Sequence, residues 1–457
     1  METALLLAAG EGRKCWPFQE VRNKCTLPVA NRPAVRRLAE AARAAGYREF
    51  VVVVRPEDRS VRAAFADWEG PLTWVEQPRP LGTADAATRA LAALGGERDV
   101  TILCGDLVTS PENLRALRET FVTERSPAVA LVQPLAGEPP GLWITCDVRR
   151  DAVANVQGHG RGGSHRLAGA YALSAAATRH LATTPNVMTH VPVGGMPPVE
   201  AEVAETIALL AERGEVRSVV APGFLVDLDK PWHILEANRA FLLDRFARLE
   251  ADEIAPGAKI AGSAEIAGRL LVEPGAEIGE RVVVRGNLWL EAGARVTNGA
   301  IVSGDCLVGA GTQVRDYALV GASVLGPRAI VGHGAEFTGV LFEGAYLYHY
   351  CEIYGVLGNR VDIGAATVCG TLRFDDDATE HRIGGKRERP RAHANASYLG
   401  DYSRTGVNAI LMPGVKVGAY SCVGPGVILY DDVPSRRLVM AKQELVIREW
   451  GPERYGW

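Results

Sequence analysis

Aliphatic residues recur at every sixth position through much of the second half of the chain. Between Ile254 and Val320, twelve successive positions spaced by six hold only Ile, Val or Leu, often with Gly or Pro between them. Such a hexapeptide predicts a short strand and a tight turn, with one aliphatic side chain directed inward. Three sides would close one coil of a parallel β-helix, which buries its apolar stripe by stacking on neighbouring coils. Unrelated strands of a β-sandwich would not keep this phase.

The six-residue phase is interrupted twice. It slips near Gly326 and Pro327, and it breaks again for a polar, charged segment at about residues 370–396. The aliphatic positions after the slip are Leu347, Ile353, Leu357 and Ile363. The regular phase returns at Leu399, Thr405, Leu411, Val417, Val423 and Leu429. We therefore predict a left-handed parallel β-helix over residues 251–433 with an inserted loop at about 370–396, followed by a C-terminal tail over 434–457.

The first half of the chain alternates between strand-like and helix-like segments. An apolar run at residues 4–8 leads into glycines, and a helical pattern follows at about 33–45. Buried strands are predicted at 50–54 and 100–104. This alternation indicates a Rossmann-like α/β domain over 1–232, with a parallel sheet covered by helices on both faces. Pro231 precedes a predicted connecting helix over 233–250.

Composition and charge narrow the classes of function. A length of 457 residues favours two domains. The net charge of −4 argues against a nucleic-acid partner. Residues 1–10 lack the basic start of a signal peptide, and no segment approaches the roughly 18 apolar residues of a membrane span. Without such a span, we expect no membrane partner. The eight cysteines form no C-x-x-C pair, which indicates reduced thiols and a cytoplasmic protein.

A glycine-rich turn follows the first predicted strand. Gly10, Glu11 and Gly12 stand where backbone amides of an α/β fold can approach phosphates. The run from Leu7 to Pro17 and its continuation from Asn23 to Pro33 resemble the signature of sugar-1-phosphate nucleotidyltransferases. In that family, L-A-A-G-x-G-T-R-x-x-P leads to P-K-x-L-x-P-V.

Three further segments are similar to the same family. Residues 76–84 look like the element E-Q-x-x-x-L-G-T-A, which reads the pyrimidine base in uridylyl- and thymidylyl-transferring members. Gly105 and Asp106 resemble the G-D pair whose Asp holds Mg²⁺. Residues 226–231 resemble D-V-G-T-P, which places a second metal carboxylate at Asp227.

The resemblance implies transfer from a nucleoside triphosphate, UTP or dTTP favoured, to a sugar 1-phosphate. The products would be pyrophosphate and a nucleoside-diphosphate sugar. Because both reactants are anions, Mg²⁺ on Asp106 and Asp227 would offset their repulsion, with Lys24, Lys14 and Arg13 around the phosphates. The implied nucleotide-binding residues are Leu7, Ala8, Ala9, Gly10, Gly12, Gln77, Gly82, Thr83 and Gly105.

The order of the two domains resembles that of GlmU-like bifunctional enzymes and their archaeal-type relatives. Those proteins add an acetyl-CoA-dependent acetyltransferase in the β-helix, which would make acetyl-CoA a co-substrate here. His349 matches the position of the family's catalytic His, and an imidazole can serve as a general base. Because β-helices of this family pack side by side as trimers, the resemblance also implies a homo-oligomer, with a trimer favoured.

Several positions depart from the family pattern. Lys14 stands for the Arg of G-T-R and loses the planar guanidinium fork, while Arg13 stands for the Thr. Asn23 replaces a Pro. The segment 157–159 replaces E-K-P, and Leu167 replaces the Asn of N-A-G. Two alternatives therefore stay open: a non-catalytic sensor or assembly protein of the same architecture, and an acyltransferase that acts through the β-helix.

Overall fold

The N-terminal half is built on one large sheet. The structure is a computed structural model that describes residues 1–158, 160, 162–184 and 200–455. Within these residues the sheet has nine strands. In spatial order they are Leu72–Glu76, Glu49–Val54, Thr3–Leu7, Val100–Cys104, His165–Leu173, Ala128–Pro134, Val216–Val220, Ala152–Gly158 and Ile144–Arg149. The strands predicted near residues 4–8, 50–54 and 100–104 are therefore present.

The sheet is mixed, which corrects the prediction of a parallel sheet. Thr3–Leu7 runs parallel to Glu49–Val54 and to Val100–Cys104. His165–Leu173 then pairs antiparallel with Val100–Cys104. Ile144–Arg149 and Ala152–Gly158 also form an antiparallel pair. Antiparallel neighbours need only a short turn, whereas each parallel pair needs a crossover.

Helices cover both faces of this sheet. Leu6 packs in one hydrophobic core with Leu38 and Leu114, whereas Leu5 packs in the opposite core with Leu91 and Ile207. Successive residues of a strand point to opposite faces, so the two cores share the same strand. The α-helices of this half are Ala34–Ala44, Arg59–Ala63, Thr83–Ala93, Pro111–Glu124, Ala175–Thr178, Val203–Glu212 and His233–Ala247. Short 3₁₀ helices are Arg13–Cys15, Lys24–Thr26, Pro140–Leu142 and Arg179–Thr183, and short strands are Pro28–Val29, Arg32–Pro33, Leu107–Thr109 and Leu225–Asp227.

The second half coils into a parallel β-helix. Glu253 pairs with Leu271, Lys259 with Glu277 and Glu265 with Val283, each partner lying 18 positions further along. Three six-residue sides therefore make one coil. The strands are Glu253–Ile254, Lys259–Ile260, Glu265–Ile266, Leu270–Val272, Glu277–Ile278, Val283–Arg285, Leu288–Leu290, Arg295–Val296, Ile301–Ser303, Cys306–Val308, Gln313–Val314, Leu319–Val320, Val324–Leu325, Ile330–Val331, Glu336–Leu341, Tyr346–Leu347, Glu352–Leu357, Asp362–Ile363, Val368–Cys369, Ser397–Leu399, Arg404–Thr405, Ile410–Leu411, Lys416–Val417, Cys422–Val423, Ile428–Leu429 and Leu438–Val439.

Both interruptions of the repeat have a structural cause. Val324 pairs with Val340, so the coil after Gly326 is two residues shorter. The segment after Cys369 leaves the β-helix and forms an antiparallel pair of strands, His381–Ile383 and Lys386–Glu388. We call residues 381–391, which contain these two strands, the hairpin. The last strand, Leu438–Val439, pairs with Cys422–Val423 and lies beyond residue 433. The chain ends in the helix Pro452–Tyr455.

The aliphatic stripe forms the interior of the β-helix. Val272, Val284, Leu290 and Val302 are all buried in one core. Ile254 departs from the predicted inward position, because half of its surface is exposed. The reason is its place in the first coil, which stacks on a neighbour on one side only.

The two halves share a fourth hydrophobic core. Phe18 and Leu27 from the first half pack with Leu235 of the helix His233–Ala247 and with Phe342 and Tyr398 of the β-helix. We call His233–Ala247 the connecting helix. No helix among the described residues has the length and apolar character needed to cross a lipid bilayer.

Candidate functional site

The glycine-rich turn lies at the carboxyl end of the first strand and packs against Lys24. Gly12 has a φ of 65°, and a Cβ atom added there would lie 2.6 Å from the Cβ atom of Lys24. Glycine is therefore needed both for the left-handed backbone and for the close approach. Ala8 is fully buried beneath the turn, where its carbonyl oxygen accepts a hydrogen bond from Asn23 Nδ2 at 2.8 Å.

Asn23 holds the segment that carries Lys24. Its Oδ1 accepts a hydrogen bond from the backbone N–H of Cys25 at 2.9 Å and caps the helix Lys24–Thr26. Its Nδ2 also donates to Asp58 Oδ2 at 2.6 Å. The departure from Pro at position 23 thus provides a cap and two buried hydrogen bonds, which a Pro at this position could not make.

Lys24 is the central cation of the site. Its ammonium group is ion-paired with Asp106 and lies 3.8 Å from Asp229 Oδ1. Burial alone would lower the pKa of Lys24, but Asp106 and Asp229 outweigh it and hold this pKa well above its usual range. Lys24 therefore remains charged at any physiological pH.

Asp227 lies beside Asp106. The strand Leu225–Asp227 pairs antiparallel with Leu107–Thr109, and Asp227 is opposite Leu107, the residue after Asp106. Burial and the nearby Asp106 carboxylate raise the pKa of Asp227 to about 7. Among the described residues, Asp227 Oδ1 is buried without a hydrogen-bond partner. A buried, unpaired carboxylate beside another carboxylate fits a bound cation.

Asp106 and Asp227 form a partial set of oxygen ligands for a divalent cation. The described part of the chain contains no group of three or more His, Cys, Asp or Glu residues that could hold an ion. Mg²⁺ is usually bound by one or two carboxylates, with substrate phosphates and waters completing its shell. Asp106 and Asp227 meet this requirement.

Asp229 belongs to the site, although the sequence analysis assigned it no role. Lys14 Nζ lies 3.3 Å from Asp229 Oδ2, and Lys230 Nζ lies 2.7 Å from the same oxygen. Burial alone would raise the pKa of Asp229, but Lys24, Lys230 and Lys14 outweigh it and hold this pKa far below its usual range. The signal in the sequence was a second carboxylate two positions after Asp227 and directly before Lys230.

A cleft of about 440 Å³ opens above these residues, and we call it the nucleotide cleft. The sequence-predicted residues that line it are Leu7, Ala9, Gly10, Gly12, Arg13, Lys14, Lys24, Gln77, Gly82, Thr83 and Asp106. Cys25, Glu200, Glu202 and Asp229 line it as well and were not predicted. Arg13 points outward, with its side chain 83% exposed and paired to Glu11 at 2.5 Å.

The predicted base-reading segment forms one end of the nucleotide cleft. Gln77 Nε2 donates hydrogen bonds to the backbone oxygen of Gly82 at 3.0 Å and to Asp85 Oδ2 at 2.8 Å. Gly82 has a φ of 97°, and a Cβ atom there would collide with the backbone of Ala201. Thr83 Oγ1 hydrogen-bonds with Glu202 Oε2 at 2.5 Å and accepts from the N–H of Val203 at 2.8 Å. Residues 200–203 therefore hold this end in place.

Gly105 allows two strands to approach each other. A Cβ atom at Gly105 would lie 2.7 Å from the backbone oxygen of Leu7 and 3.2 Å from the Cβ atom of Ala8. Its N–H donates to the same oxygen of Leu7 at 2.9 Å. Gly105 thus holds Asp106 next to the glycine-rich turn.

A second cleft, of about 240 Å³, adjoins the carboxylates from the other side. Asp227 and Lys230 line it together with Trp143 and Arg166.

Two departures from the family pattern lie in strands that follow each other along the chain. Leu167, which replaces the family Asn, is buried, and Gln157 lies at the end of the strand Ala152–Gly158. His159 of the same departure lies outside the described residues.

His349 lies in an exposed turn of the β-helix, between Tyr346–Leu347 and Glu352–Leu357. Its ring contacts the ring of Tyr350 edge-on, with 5.4 Å between centroids. Among the described residues, no side chain forms a hydrogen bond or ion pair with this imidazole. The structure of one chain thus brings no partner to the predicted acyl-transfer base.

Comparisons with known proteins agree with this architecture. Residues 4–172 match the family model of the MobA-like NTP transferase domain. The resemblance to sugar-1-phosphate nucleotidyltransferases with a C-terminal β-helix is confirmed, because the similarity to bifunctional proteins of this type extends over nearly the whole chain.

Two of these relatives match this chain over nearly its whole length. The chain is 26% identical to the "Bifunctional protein GlmU" of Methanococcus maripaludis, over 97% of this chain and 98% of that protein. It is 23% identical to the "Bifunctional sugar-1-phosphate nucleotidylyltransferase/acetyltransferase" of Sulfurisphaera tokodaii, over 94% of this chain and 98% of that protein. Among solved structures, the UTP-bound UGPase from Acinetobacter baumannii is similar at 19% identity, with a TM-score of 0.44, over 53% of this chain and 94% of that chain.

Proposed function

We propose that this protein transfers a nucleotidyl group from a nucleoside triphosphate to a sugar 1-phosphate. The products are pyrophosphate and a nucleoside-diphosphate sugar. The observation that carries the proposal is the contact of Lys24 with Asp106, beside the unpaired Asp227, at the base of a glycine-lined cleft. The relatives named above, one of them described as a sugar-1-phosphate nucleotidylyltransferase, support the same reaction.

The nucleotide cleft suits the triphosphate. Backbone amides of residues 10–12 can donate to phosphate oxygens, and Lys14 and Lys24 place two cations at the same edge. An oxygen of the sugar phosphate would attack the α-phosphorus, and the bond from that phosphorus to the pyrophosphate oxygen would break. Because the attacking phosphate is already ionised, no general base is needed. The protein therefore acts by positioning and by charge stabilisation.

Asp106 and Asp227 would hold Mg²⁺. The ion would supply positive charge to phosphate oxygens and so reduce the repulsion between the two anionic reactants. Lys24 neutralises part of the charge of Asp106 and Asp229 in the same site. If Mg²⁺ and Lys24 were both absent, the carboxylates of Asp106, Asp227 and Asp229 would repel the triphosphate.

A pyrimidine nucleotide, UTP or dTTP, is the proposed donor. Gln77 is held by Asp85 and by the backbone of Gly82, so its amide has a defined orientation at the end of the cleft. A fixed amide and a nearby backbone can pair with the hydrogen-bonding edge of a base at little cost in conformational entropy. Residues 76–84 resemble the family segment that reads the pyrimidine base.

The proposal also covers the handedness of the β-helix, the oligomeric state of the protein and its location in the cell. We propose a left-handed β-helix, a homo-oligomer with a trimer favoured, and a cytoplasmic location. All eight cysteines are free thiols, which supports a reducing compartment. Leu319, Val407 and Ile428 of the β-helix are exposed, which supports packing against another copy.

Acetyl transfer by the β-helix is the second candidate function, because the relatives named above include acetyltransferases. The isolated His349 does not favour it, since a general base usually needs a group that orients it. Saturating acetyl-CoA should raise the temperature of thermal unfolding if the β-helix binds it. An unchanged temperature would exclude this candidate.

The test of the main proposal is pyrophosphate release by the purified protein with Mg²⁺. UTP, dTTP, CTP, GTP and ATP would each be paired with the 1-phosphates of glucose, N-acetylglucosamine, glucosamine and mannose. We expect a clear preferred pair, and we expect the Asp106→Asn variant to lose turnover while keeping its fold by circular dichroism. No product from any pair would favour the sensor or assembly alternative, and an active Asp106→Asn variant would refute the metal assignment.

A further inference from the structure

Two lysines from different segments hold the carboxylate of Asp229. Lys14 Nζ lies 3.3 Å from Asp229 Oδ2, and Lys230 Nζ lies 2.7 Å from the same oxygen. Asp229 lines the nucleotide cleft, whereas Lys230, the next residue, lines the second cleft. The ion pair of Asp229 with Lys230 therefore links the two clefts.

Lys230 has a second carboxylate partner, which belongs to the other domain. Its Nζ lies 3.1 Å from Oε2 of Glu388, on the hairpin that leaves the β-helix. The side chains of Lys230 and Glu388 are only 4% and 12% exposed. A buried ammonium group depends strongly on its partners, because water does not replace a partner that is lost. The contacts from Glu388 through Lys230 to Asp229 thus form a network that is largely shielded from solvent.

The hairpin that carries Glu388 is docked on the transferase domain. Glu388 is opposite His381 in the antiparallel pair of strands, and the ring of His381 packs on Trp232 with 5.1 Å between centroids. Arg391 Nη1 donates a hydrogen bond to the backbone oxygen of Ala136 at 3.0 Å. These contacts fix the backbone on both sides of Glu388, so its carboxylate has a defined position.

The position of Asp229 matters because this carboxylate faces both lysines of the nucleotide cleft. Its Oδ1 lies 3.8 Å from Lys24 Nζ, and its Oδ2 contacts Lys14. Among the described residues, Asp229 and Glu388 are the carboxylates that pair with Lys230. Without Glu388, Lys230 would be free to shift, and Asp229 would shift with it. A displacement of about 1 Å near reacting groups can lower a rate by about 100-fold.

We propose that Glu388, a residue of the β-helix domain, is a positioning residue of the transfer reaction. It acts through Lys230 to hold Asp229, and Asp229 holds the lysines that receive the triphosphate. This inference rests on the proposed transfer reaction, and it gives the second domain a part in the chemistry of the first. Glu388 acts without contact to a substrate.

The test compares three variants of the full-length protein. Glu388→Ala removes the carboxylate, and Glu388→Gln removes its charge but keeps an oxygen that can accept a hydrogen bond from Lys230. Arg391→Ala is the matched control, because it removes another contact of the same hairpin with the transferase domain. We expect kcat/KM for the nucleoside triphosphate to fall about tenfold in Glu388→Ala and about threefold in Glu388→Gln. In Arg391→Ala it should change less than about twofold.

A double-mutant cycle tests the route through Lys230. When Lys230→Met is already present, Glu388→Ala should lower kcat/KM by less than about twofold, because the residue through which it acts is gone. Additive effects of the two substitutions would overturn the inference, as would equal losses in Glu388→Ala and Arg391→Ala. Thermal unfolding of each variant checks the fold. If Lys230→Met does not fold, the order of the two Glu388 variants and Arg391→Ala decides alone.

Nucleotide binding separates failure of the inference from failure of the proposed function. If the wild type turns over and Glu388→Ala keeps its kcat/KM, the inference is wrong and the transferase stands. If the wild type gives no product, the Kd of UTP and of dTTP with Mg²⁺, measured by titration calorimetry, decides. Binding about fivefold weaker in Glu388→Ala than in Arg391→Ala would support the inference, and equal Kd values would overturn it. A wild type that binds neither nucleotide would refute the proposed function, and the inference would fall with it.

Discussion

Lys14 Nζ lies 3.3 Å from Asp229 Oδ2, across 215 positions of the sequence. Its neighbour Arg13 turns away and pairs with Glu11. The family pattern has its arginine at position 14, so this contact shows that the substituted lysine still directs its charge into the nucleotide cleft. The guanidinium of Arg13 is not an equivalent replacement, because it points toward solvent.

This difference predicts unequal effects at two adjacent cations. Lys14→Ala should raise the KM for the nucleoside triphosphate by about tenfold, because it removes a charge-assisted contact to phosphate. Arg13→Ala is the matched control and should raise that KM less than threefold. Initial rates of pyrophosphate release at fixed sugar 1-phosphate measure both values. Equal effects of the two substitutions would contradict the orientation of Lys14.

Removal of the central cation should affect the rate more than the binding of substrate. Lys24→Met should lower kcat by about 100- to 1000-fold, the range found when one preorganised electrostatic contact is lost. It also leaves Asp106 and Asp229 without their shared partner. Single-turnover rates at saturating substrates measure the effect. Circular dichroism and thermal unfolding of the same sample must show a native fold, and a kcat above a tenth of the wild-type value would refute the role.

Gly82 should tolerate no side chain. Its φ of 97° disfavours any other residue, and a Cβ atom would collide with the backbone of Ala201. Gly95 is the matched control, because its φ of 87° is similar but its Cβ position has nothing within 4 Å. Gly95→Ala should cost about 1 kcal/mol in free energy of unfolding, from backbone strain alone. Gly82→Ala should cost at least about 2 kcal/mol more, because the backbone of residues 200–203 must shift.

Thermal unfolding of the two glycine variants at one pH measures this difference. The same samples test the binding of the nucleotide, since residues 200–203 line or support the base end of the cleft. Gly82→Ala should also raise the KM for UTP or dTTP, whereas Gly95→Ala should not. Equal unfolding temperatures for the two variants would show that this end of the cleft is looser than the contact with Ala201 implies.

The contribution of His381 to the stability of the protein should decrease as the pH falls from about 6.5 to about 4. His381 is buried, its Nε2–H donates to the backbone oxygen of Ala394 at 2.7 Å, and its Nδ1 faces the ammonium group of Lys416 at 3.2 Å. Burial and Lys416 lower the pKa of His381 to about 4, although Asp432 acts in the opposite direction. Because the unfolded chain binds this proton near pH 6.5, acid favours the unfolded state across that interval.

Proton linkage gives the size of the pH effect at His381, and a variant without the imidazole is its control. The contribution of His381 to the free energy of unfolding should fall by about 1.4 kcal/mol per pH unit within the interval and stay constant above it. The His381→Gln variant cannot titrate, so its stability should depend less on pH than that of the wild type. Chemical unfolding at pH 7, 6 and 5 measures both curves. Parallel curves would contradict a buried neutral His381.

Much of this structure could be predicted from the six-residue repeat and from the sequence motifs. A period of six residues needs only local turns and one inward side chain per side, so Val272, Val284 and Leu290 could be assigned to the interior from the sequence alone. The positions of the glycine-rich turn and of Asp106 could also be predicted, because each follows a strand with a clear apolar pattern. The exposed Ile254 was missed because the pattern does not reveal which coil has a neighbour on one side only.

Tertiary structure alone decided which distant charges meet. The positions of Asp229 between Lys14 and Lys24, and of Glu388 against Lys230, depend on how strands and domains pack, because these partners are far apart along the chain. No local pattern encodes such contacts. The sequence by itself determined the order of the two domains, the coiled repeat and the residues that follow the clearest strands. It did not reveal the antiparallel strands of the sheet, because strand direction depends on which distant segments pair. The packing of one domain on the other determined the shape of the second cleft, because long-range burial brings the hairpin to the transferase domain.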